Sequence, residues 1–589
     1  MPVSVSYPGV YIEEVPSGVR TITGVATSIT AFLGRSVIGP VNQPVTINSY
    51  GDYERQFGGL AVDCPLSYAV RDFYLNGGSQ ALIVRLYVEP DVAADASAKL
   101  AVAGITLAAA SPGKWGQKLR MTIDDDVADD MRDRLGLVPA DLLFNLTVRL
   151  GGTTEKFLNL SIAENARRID RVLASESNLV RWSVSPWATP DPAATLALLT
   201  TASAARTDLN DAIAAVPQVP ADIAAAKTAF STAQAALSDA ASKADADLAA
   251  KLSANPQVLA DIAAAKAAIK TAEGAMKGDN GKPLVDATYL GNQADKSGIF
   301  ALDKVDLFNL LCLLPDTRDG DVSSAVYQQA MSYCAQRRAM LLVDPPTVWD
   351  ANPVTAASTA RDGLAGLGLG GPFARNAALY FPRLLAPDPL RDGQTADFVP
   401  CGAVAGIMAR TDSQRGVWKA PAGLDAAING IQGFTVNLND AENGMLNPLG
   451  INCLRAFPVN GRVVWGARTL RGADQLADEY KYVSVRRTAL FIEETLYRGT
   501  QWVVFEPNDE PLWSQIRLNI GAFMNGLFRQ GAFQGKTPAE AYFVKCDKET
   551  TPQNDIDKGI VNIVVGFAPL KPAEFVIVKL QQIAGQIQV

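Results

Sequence analysis

The sequence predicts a multidomain protein that mixes α/β and α+β regions. Three observations predict it: strand-helix-strand alternation after residue 298, a mostly β stretch over 100–187, and an abrupt alanine-rich passage over 192–277 that interrupts the two. With 589 residues, 48% apolar and 19% charged, the chain has ordinary globular usage and the length of about four domains, or fewer if they are large or interleaved.

Residues 1–22 read as an extended arm. Val3, Val5 and Tyr7 alternate, Pro8-Gly9 turns the chain, and Val10, Ile12 and Glu14 alternate again up to Pro16-Ser17-Gly18. Such an arm has too little beside it to bury a face. Residues 23–95 open an α/β core, with β-rich runs at 29–34 and 82–88 and a helix over 64–76 that Gly77-Gly78 ends as a C-cap pair. Residues 96–190 read as a separate, mostly β insertion, with strands at 118–123 and 142–150 and a helix over 163–176.

Residues 191–285 form a second insertion. Alanine, the strongest helix former, fills 14 of the 30 positions from 221 to 250. Pro217, Pro220 and Pro256 predict three helices. PQVPADIAAAKTAFSTAQAAL from Pro217 returns as PQVLADIAAAKAAIKTAEGAM from Pro256, offset by 39 residues. The apolar stripe is thin (Ile223, Phe230, Leu237 and Ile262, Ile269, Met276, at spacing seven), which predicts a slender, antiparallel, coiled-coil-like projection.

Residues 286–480 resume the core. A strand at 307–314, a helix over 323–338 and a strand at 340–343 stopped by Pro345-Pro346 imply a partly parallel sheet. Residues 481–589 hold an amphipathic helix over 484–497, a strand at 502–505, a helix over 512–529, and two β-runs at 561–566 and 574–580 separated by Pro569 and Pro572. Both chain ends thus offer strands without a local partner, and an unpaired strand edge is a template for pairing with another chain.

Composition excludes much chemistry. The chain has no histidine, so there is no Ser-His-Asp or Cys-His relay and no histidine-ligated metal. Lys plus Arg number 53 against 61 Asp plus Glu, a net charge of -8 with no basic stripe, which speaks against nucleic-acid binding. Six scattered cysteines show no C-x-x-C spacing and fit free thiols in a reducing cytoplasm. The first residues lack the basic and apolar regions of a signal peptide. The longest strongly apolar run, near 307–314, is less than half the ~20 residues a membrane span needs, so no membrane insertion is expected.

Motif-like stretches fail in context. GAFQGKT at 531–537 has three residues between its glycines where a phosphate-binding loop needs four. Gly366, Gly368 and Gly371 satisfy G-x-G-x-x-G, but no apolar strand leads into them. Asp124-Asp125-Asp126 lacks the glycine and terminal glutamate of a calcium loop, and Pro112-Gly113 breaks the turn between Ser111 and Lys114. Arg486-Arg487 and Glu493-Glu494 share one helical face and read as an ion-pair network or a subunit contact. No catalytic, cofactor-binding or metal-ligating residue is assigned, and no cofactor is expected.

YPGVYIEEV (7–15), AGIMARTDSQRGVWKAPAG (405–423), GIN (450–452), RVVWGARTL (462–470), YKYVSVRRTALFIEETL (480–496), VFEPND (504–509), AYFVKCD (541–547) and APLKPAEFVIVKLQQ (568–582) together resemble the tail sheath protein of contractile phage tails and related contractile injection systems. The resemblance covers residues 1 to about 90 and 300–589, and SPGKWGQKLRMTI (111–123) is similar to the family's outer domain. The alanine-rich bundle matches nothing general in the family.

The resemblance implies a non-enzymatic subunit that stacks as hexameric rings in a helical sleeve around an inner tube and contracts to drive the tube through a target envelope. It implies partners in further copies of the chain, the inner tube protein, the baseplate and the tail terminator, and a place in a virion tail or a bacterially encoded injection particle assembled in the bacterial cytoplasm. A static polymer without contraction is the alternative. It also implies strand exchange between neighbours, at Tyr7, Val10, Tyr11, Ile12 and Val15 in the first arm and at Val561, Ile563, Val565, Phe575, Val576, Ile577, Val578 and Leu580 near the other end. By the same resemblance residues 481–589 face the tube, where Arg517 and Arg529 would meet an acidic surface. Deleting residues 192–277 is expected to leave assembly intact, since a bundle foreign to the family would project outward; loss of tubes in electron micrographs of that deletion would show that it makes structural contacts.

Overall fold

The computed structural model describes residues 20–93, 96–102, 104–127, 130–138, 141–183, 192–214, 220–254 and 259–579. Five apolar runs, Thr30–Gly34, Ala81–Arg85, Leu310–Leu313, Met340–Val343 and Ala377–Phe381, are buried at every position. Continuous rather than alternating hydrophobicity suits strands covered on both faces. They join an eight-stranded sheet that runs, edge to edge, Gly461–Val464, Ile451–Phe457, Ala377–Phe381, Met340–Val343, Leu310–Leu313, Thr30–Gly34, Ala81–Arg85, Val45–Ile47. The six inner strands are parallel and the two edge strands antiparallel.

Alternate side chains divide the core into two layers. Ala31, Leu33, Leu82, Val84, Leu341 and Leu379 pack under helix Ser324–Gln336, whose Ser323 N-cap accepts from the Val326 amide. Phe32, Ile83, Cys312, Leu342 and Tyr380 pack under helices Pro65–Leu75 and Cys401–Arg415. Those two helices approach so closely that a Cβ at Gly402 would lie 2.2 Å from the Ala69 carbonyl oxygen, and one at Gly406 2.4 Å from that of Phe73. Glycine alone fits there.

The chain between the strands Ala81–Arg85 and Leu310–Leu313 builds two three-stranded antiparallel sheets, Lys99–Val102 with Ile105–Ala109 and Val180–Trp182, and Leu119–Asp124 with Leu143–Leu150 and Thr153–Ser161. The helix expected over 163–176 begins only at Ile169, because the Ser161 amide donates to the Arg167 carbonyl and holds the intervening residues in a turn. The alanine-rich passage forms four helices rather than three: Pro192–Ala214, Pro220–Ala236, Ala240–Ala254 and Leu259–Ala275. Asp239 makes the extra break. Its buried carboxylate accepts from the amides of Ala241 (2.9 Å) and Ser242 (3.1 Å), capping the third helix, and from the Met121 amide of the neighbouring sheet (2.5 Å).

Nor is the bundle wholly a projection. Leu199, Ala233, Leu237, Ala241 and Met276 share a buried cluster with the antiparallel sheets, and Arg120 bridges Asp245 (2.5 Å) and Glu273 (2.6 Å) on two of the helices. Of the predicted stripe, Leu237 and Met276 are buried at this root, while Ile223, Phe230 and Ile269 are half-exposed.

Gly402→Ala is expected to destabilise the protein by roughly 1–3 kcal/mol through overpacking. Gly366→Ala, where an added Cβ meets nothing within 4 Å, is expected to change stability little. Urea unfolding of the two variants checks the contrast.

Candidate assembly interface

The carboxyl-terminal residues gather around their own cluster. Helices Val483–Gly499 and Glu510–Arg529 contribute Ile492, Leu512, Trp513, Ile516, Ile520 and Met524, and Phe533 and Ile22 complete it. Strands Tyr542–Lys545 and Val564–Phe567 form an antiparallel pair at its side, and among the described residues no third strand joins them. Residues 502–505 do not form the predicted strand. Gln501–Val503 is a 3-10 turn, because the segment only connects two packed helices and, among the described residues, has no strand beside it to complete a ladder.

The roots of both terminal segments, 20–25 and 568–569, lie against this cluster. The Arg20 amide donates to Asn519 Oδ1 (3.1 Å), its guanidinium stacks 4.5 Å from the centre of the Trp502 ring, and the Val25 amide donates to Thr495 Oγ1 (3.3 Å). Thr27 Oγ1 (2.6 Å) and the buried Arg487 (2.6 Å) both donate to Asp412 on the helix Cys401–Arg415, fastening this segment to the large sheet. At the other end, Ala568 accepts from the Gln534 amide, and Phe533 bridges to Pro569. Residues 570–573 then cross a cleft of about 690 Å³ lined by Trp418, Lys419, Trp465 and Gln530. Gln530 also lines a cavity of about 340 Å³ under Arg20 and Gly24, so the two roots flank one residue.

Beyond the cleft Phe575, Val576, Ile577 and Val578 are 74%, 82%, 82% and 74% exposed. Residues 574–579 therefore form no strand in the single chain, unlike the expected β-run over 574–580; no ladder partner lies beside them among the described residues. Tyr7, Val10, Tyr11, Ile12, Val15 and Leu580 lie outside the described residues. Val561, Ile563 and Val565 pack against the carboxyl-terminal cluster, and Val565 pairs with Val544 within the chain. The structure thus separates the predicted residues near this end into an inward-packed set and an outward, unpaired set.

Arg517 donates to the Cys546 carbonyl and pairs with Glu510 at 2.5 Å, so its guanidinium is engaged within the chain, whereas Arg529 is exposed at the last turn of its helix. The exposed stripe of that helix carries Ser514, Gln515, Leu518 and Ala522. Arg486 pairs with Glu493 (3.2 Å) as its spacing predicts, but Glu494 pairs with Arg338 (2.9 Å) and Arg498 (2.7 Å) instead of Arg487. Glu574 and Arg468, which form a two-point ion pair at the arm root, were not singled out by sequence reasoning, although both fall in the stretches that carry the resemblance.

The carboxyl ends of parallel strands, where open α/β sheets hold ligands, are filled here. Arg35–Asp316 (2.6 Å), Arg318–Asp388 (2.8 Å) and Arg383–Asp321 (2.7 Å) occupy that edge, and the gap beside Tyr68, Arg318 and Phe398 measures about 10 Å³, scarcely room for one water. Arg85 donates from the same edge to the carbonyls of Gly39 (2.8 Å) and Pro112 (2.7 Å), and Arg35 to those of Asn280 and Lys282, so both ends of the long insertion are tied there. Asp344, following the strand Met340–Val343, accepts from the Cys401 amide (2.9 Å), and its Oδ2 has no hydrogen-bond partner among the described residues. Burial pushes its carboxyl up to about 6 despite that bond and the nearby Arg383. All six cysteines are free and buried. Among the described residues no cluster of acidic or thiol groups is arranged to hold a metal, and no helix is long and apolar enough to cross a membrane.

A family model described as the phage tail sheath C-terminal domain matches residues 477–583. The tail sheath protein of Vibrio phage KVP40 is 27% identical over 176 residues, covering 30% of this chain and 25% of its own. That of Enterobacteria phage T4 is 24% identical over 163 residues, 27% of this chain and 23% of its own. The chain thus spans about a quarter of the length of the curated relatives it matches. The sheath of an extracellular contractile injection system, solved in its contracted state, shares the fold with a TM-score of 0.51 at 20% identity over 98% of both chains. A sheath tail protein from Listeria innocua does so with a TM-score of 0.53 at 13% identity, over 93% of this chain and 96% of its own. The matches point to a structural family rather than to an enzyme. Residues 477–583 thus match the phage tail sheath C-terminal domain, and the matches together support a contractile tail sheath protein.

The filled sheet edge has a pH signature. A carboxyl raised to about 6 in the fold binds its proton more tightly there than in the unfolded chain, so its ionisation costs stability at neutral pH and that cost fades as pH falls. Going from about pH 7.5 to about pH 4.5, the wild type is expected to gain roughly 2 kcal/mol relative to Asp344→Asn. Urea unfolding of both proteins at the two pH values checks the sign.

Proposed function

We propose that the chain is the structural subunit of a contractile sheath, polymerising as stacked hexameric rings in a helical sleeve around an inner tube and contracting to drive that tube through a target envelope. The observation that carries this reading is the exposed apolar segment Phe575–Val578, which leaves the body beside a two-stranded sheet that no third strand joins among the described residues. A strand so placed has its ladder bonds to make with another chain. Five residues added to a sheet supply about four backbone hydrogen bonds at ~1 kcal/mol net each, before any apolar packing. Links of that size hold neighbours while the folded bodies between them rotate.

In this reading residues 1–22 are the first exchanged arm, 23–95 with 286–480 the sheath core, 96–190 the outer domain, 191–285 its helical decoration, and 481–589 the part that faces the tube and donates the second arm. Arg529, and Arg517 through whatever part of its charge Glu510 leaves uncompensated, meet an acidic tube by contacts weak enough to release. Contraction is a population shift: the sleeve is assembled extended, and the baseplate releases it to an arrangement with more contact between subunits. The partners are further copies, the tube, the baseplate and the tail terminator, in a virion tail or a bacterially encoded injection particle assembled in the bacterial cytoplasm.

Deleting residues 1–20 is expected to yield a folded, soluble monomer by circular dichroism and sedimentation that forms no tubes under negative stain. Intact tubes, or an unfolded product, would count against strand exchange.

A further inference from the structure

Resting on that reading, we propose that the Glu574–Arg468 ion pair is a clamp that fixes the exit point and register of the C-terminal arm. Arg468 is wholly buried. Its Nε and Nη2 donate to the two Glu574 oxygens at 2.7 and 2.6 Å, and its Nη1 donates to the carbonyls of Asn447 (2.9 Å) and Gly472 (3.2 Å) and to Asp474 (3.0 Å). Such a two-point pair restricts direction as well as distance. The Tyr482 hydroxyl adds a third bond to Glu574 at 3.1 Å.

The socket is built without the arm. Asn452, on the strand Ile451–Phe457, accepts from the Arg468 amide (2.6 Å) and donates to the Leu379 (3.0 Å) and Arg468 (2.8 Å) carbonyls, which locks the backbone that carries the guanidinium. Arg468 and Lys481 outweigh Asp474, so the socket is left positively charged until Glu574 enters it. Asp474 already serves Lys481 at 2.6 Å and cannot replace Glu574.

The clamp joins two parts of the molecule. Arg468 belongs to the segment beside the large sheet, whereas the arm grows out of the strand Val564–Phe567 and crosses the cleft as a strap over residues 570–573. Glu574 is the last residue before the exposed segment. Side chains alternate along a strand, so a slip of one residue would exchange the faces of Phe575 and Ile577 with those of Val576 and Val578. A fixed point one residue upstream removes that freedom before a neighbour is met. Glu574 is in these terms a positioning residue.

The test uses the full chain with spin labels on Val459→Cys and Val578→Cys, two exposed sites that can be labelled selectively because all six native thiols are buried. Dipolar spectroscopy is expected to give a narrow distance distribution that Glu574→Gln broadens and Glu574→Asp, which keeps the carboxylate, largely restores. In unlabelled protein Glu574→Gln is expected to raise the threshold concentration for sedimentable tubes about tenfold, of the order of one lost charge-assisted pair. An unchanged distance distribution in Glu574→Gln overturns the clamp, and a broadened one with an unchanged threshold overturns its positioning role. Tubes formed by a chain ending at Glu574 would instead overturn strand exchange itself, and the clamp would still stand or fall on the distances.

Discussion

A parallel sheet covered on both faces can be left only at its edges and at the ends of its strands, and the rest of this molecule is arranged around that constraint. The five fully buried runs leave no sheet face to interact with anything but the helices above and below. The insertion therefore leaves from the carboxyl edge, where arginine pairs and carbonyl contacts anchor its two ends. What would be a ligand crevice in an enzyme of this topology is occupied by the foundations of the insertion. Residues 20–25 and 568–569 are held elsewhere, on the small carboxyl-terminal cluster flanking Gln530.

Buried arginines make the ties between these parts. Arg85 reaches from a core strand to the insertion, Arg487 joins Asp412 and the Thr27 carbonyl, and Arg468 receives Glu574. Each guanidinium meets several carbonyls or carboxylates, and its planar fork fixes orientation in a way an apolar contact does not. Burying such a charge is expensive unless every donor is used, so these ties add little net stability but tolerate few alternative arrangements.

The sequence was most legible where hydrophobicity is periodic or continuous. The strand at 340–343 and the helices near 64–76 and 323–338 follow directly from their runs and caps, within a residue or two. The alanine-rich passage was legible as helix but not as packing, because alanine carries too little apolar area to mark which face is buried; a single aspartate, Asp239, decided both the fourth helix and its attachment to the sheet. Residues 502–505 misled for the opposite reason. Trp502 and Val503 have strong β propensity, but propensity describes fit to a half-buried pleated surface, and among the described residues no strand lies beside the turn they occupy.

By itself, the sequence determined that the chain mixes α/β and α+β parts and that it has no imidazole chemistry, and its pattern raised the expectation of strand-forming segments near both ends. These properties reside in composition and in short-range periodicity, which act over a few residues. Only the tertiary structure decided that Val561, Ile563 and Val565 face inward while Phe575–Val578 face out, that Arg517 is held by Glu510 and the Cys546 carbonyl, and that Arg468 waits 106 positions away for Glu574. Each depends on which distant segment supplies a ladder, a counter-charge or a covering side chain. That choice is made by three-dimensional packing, and no local pattern along the chain encodes it.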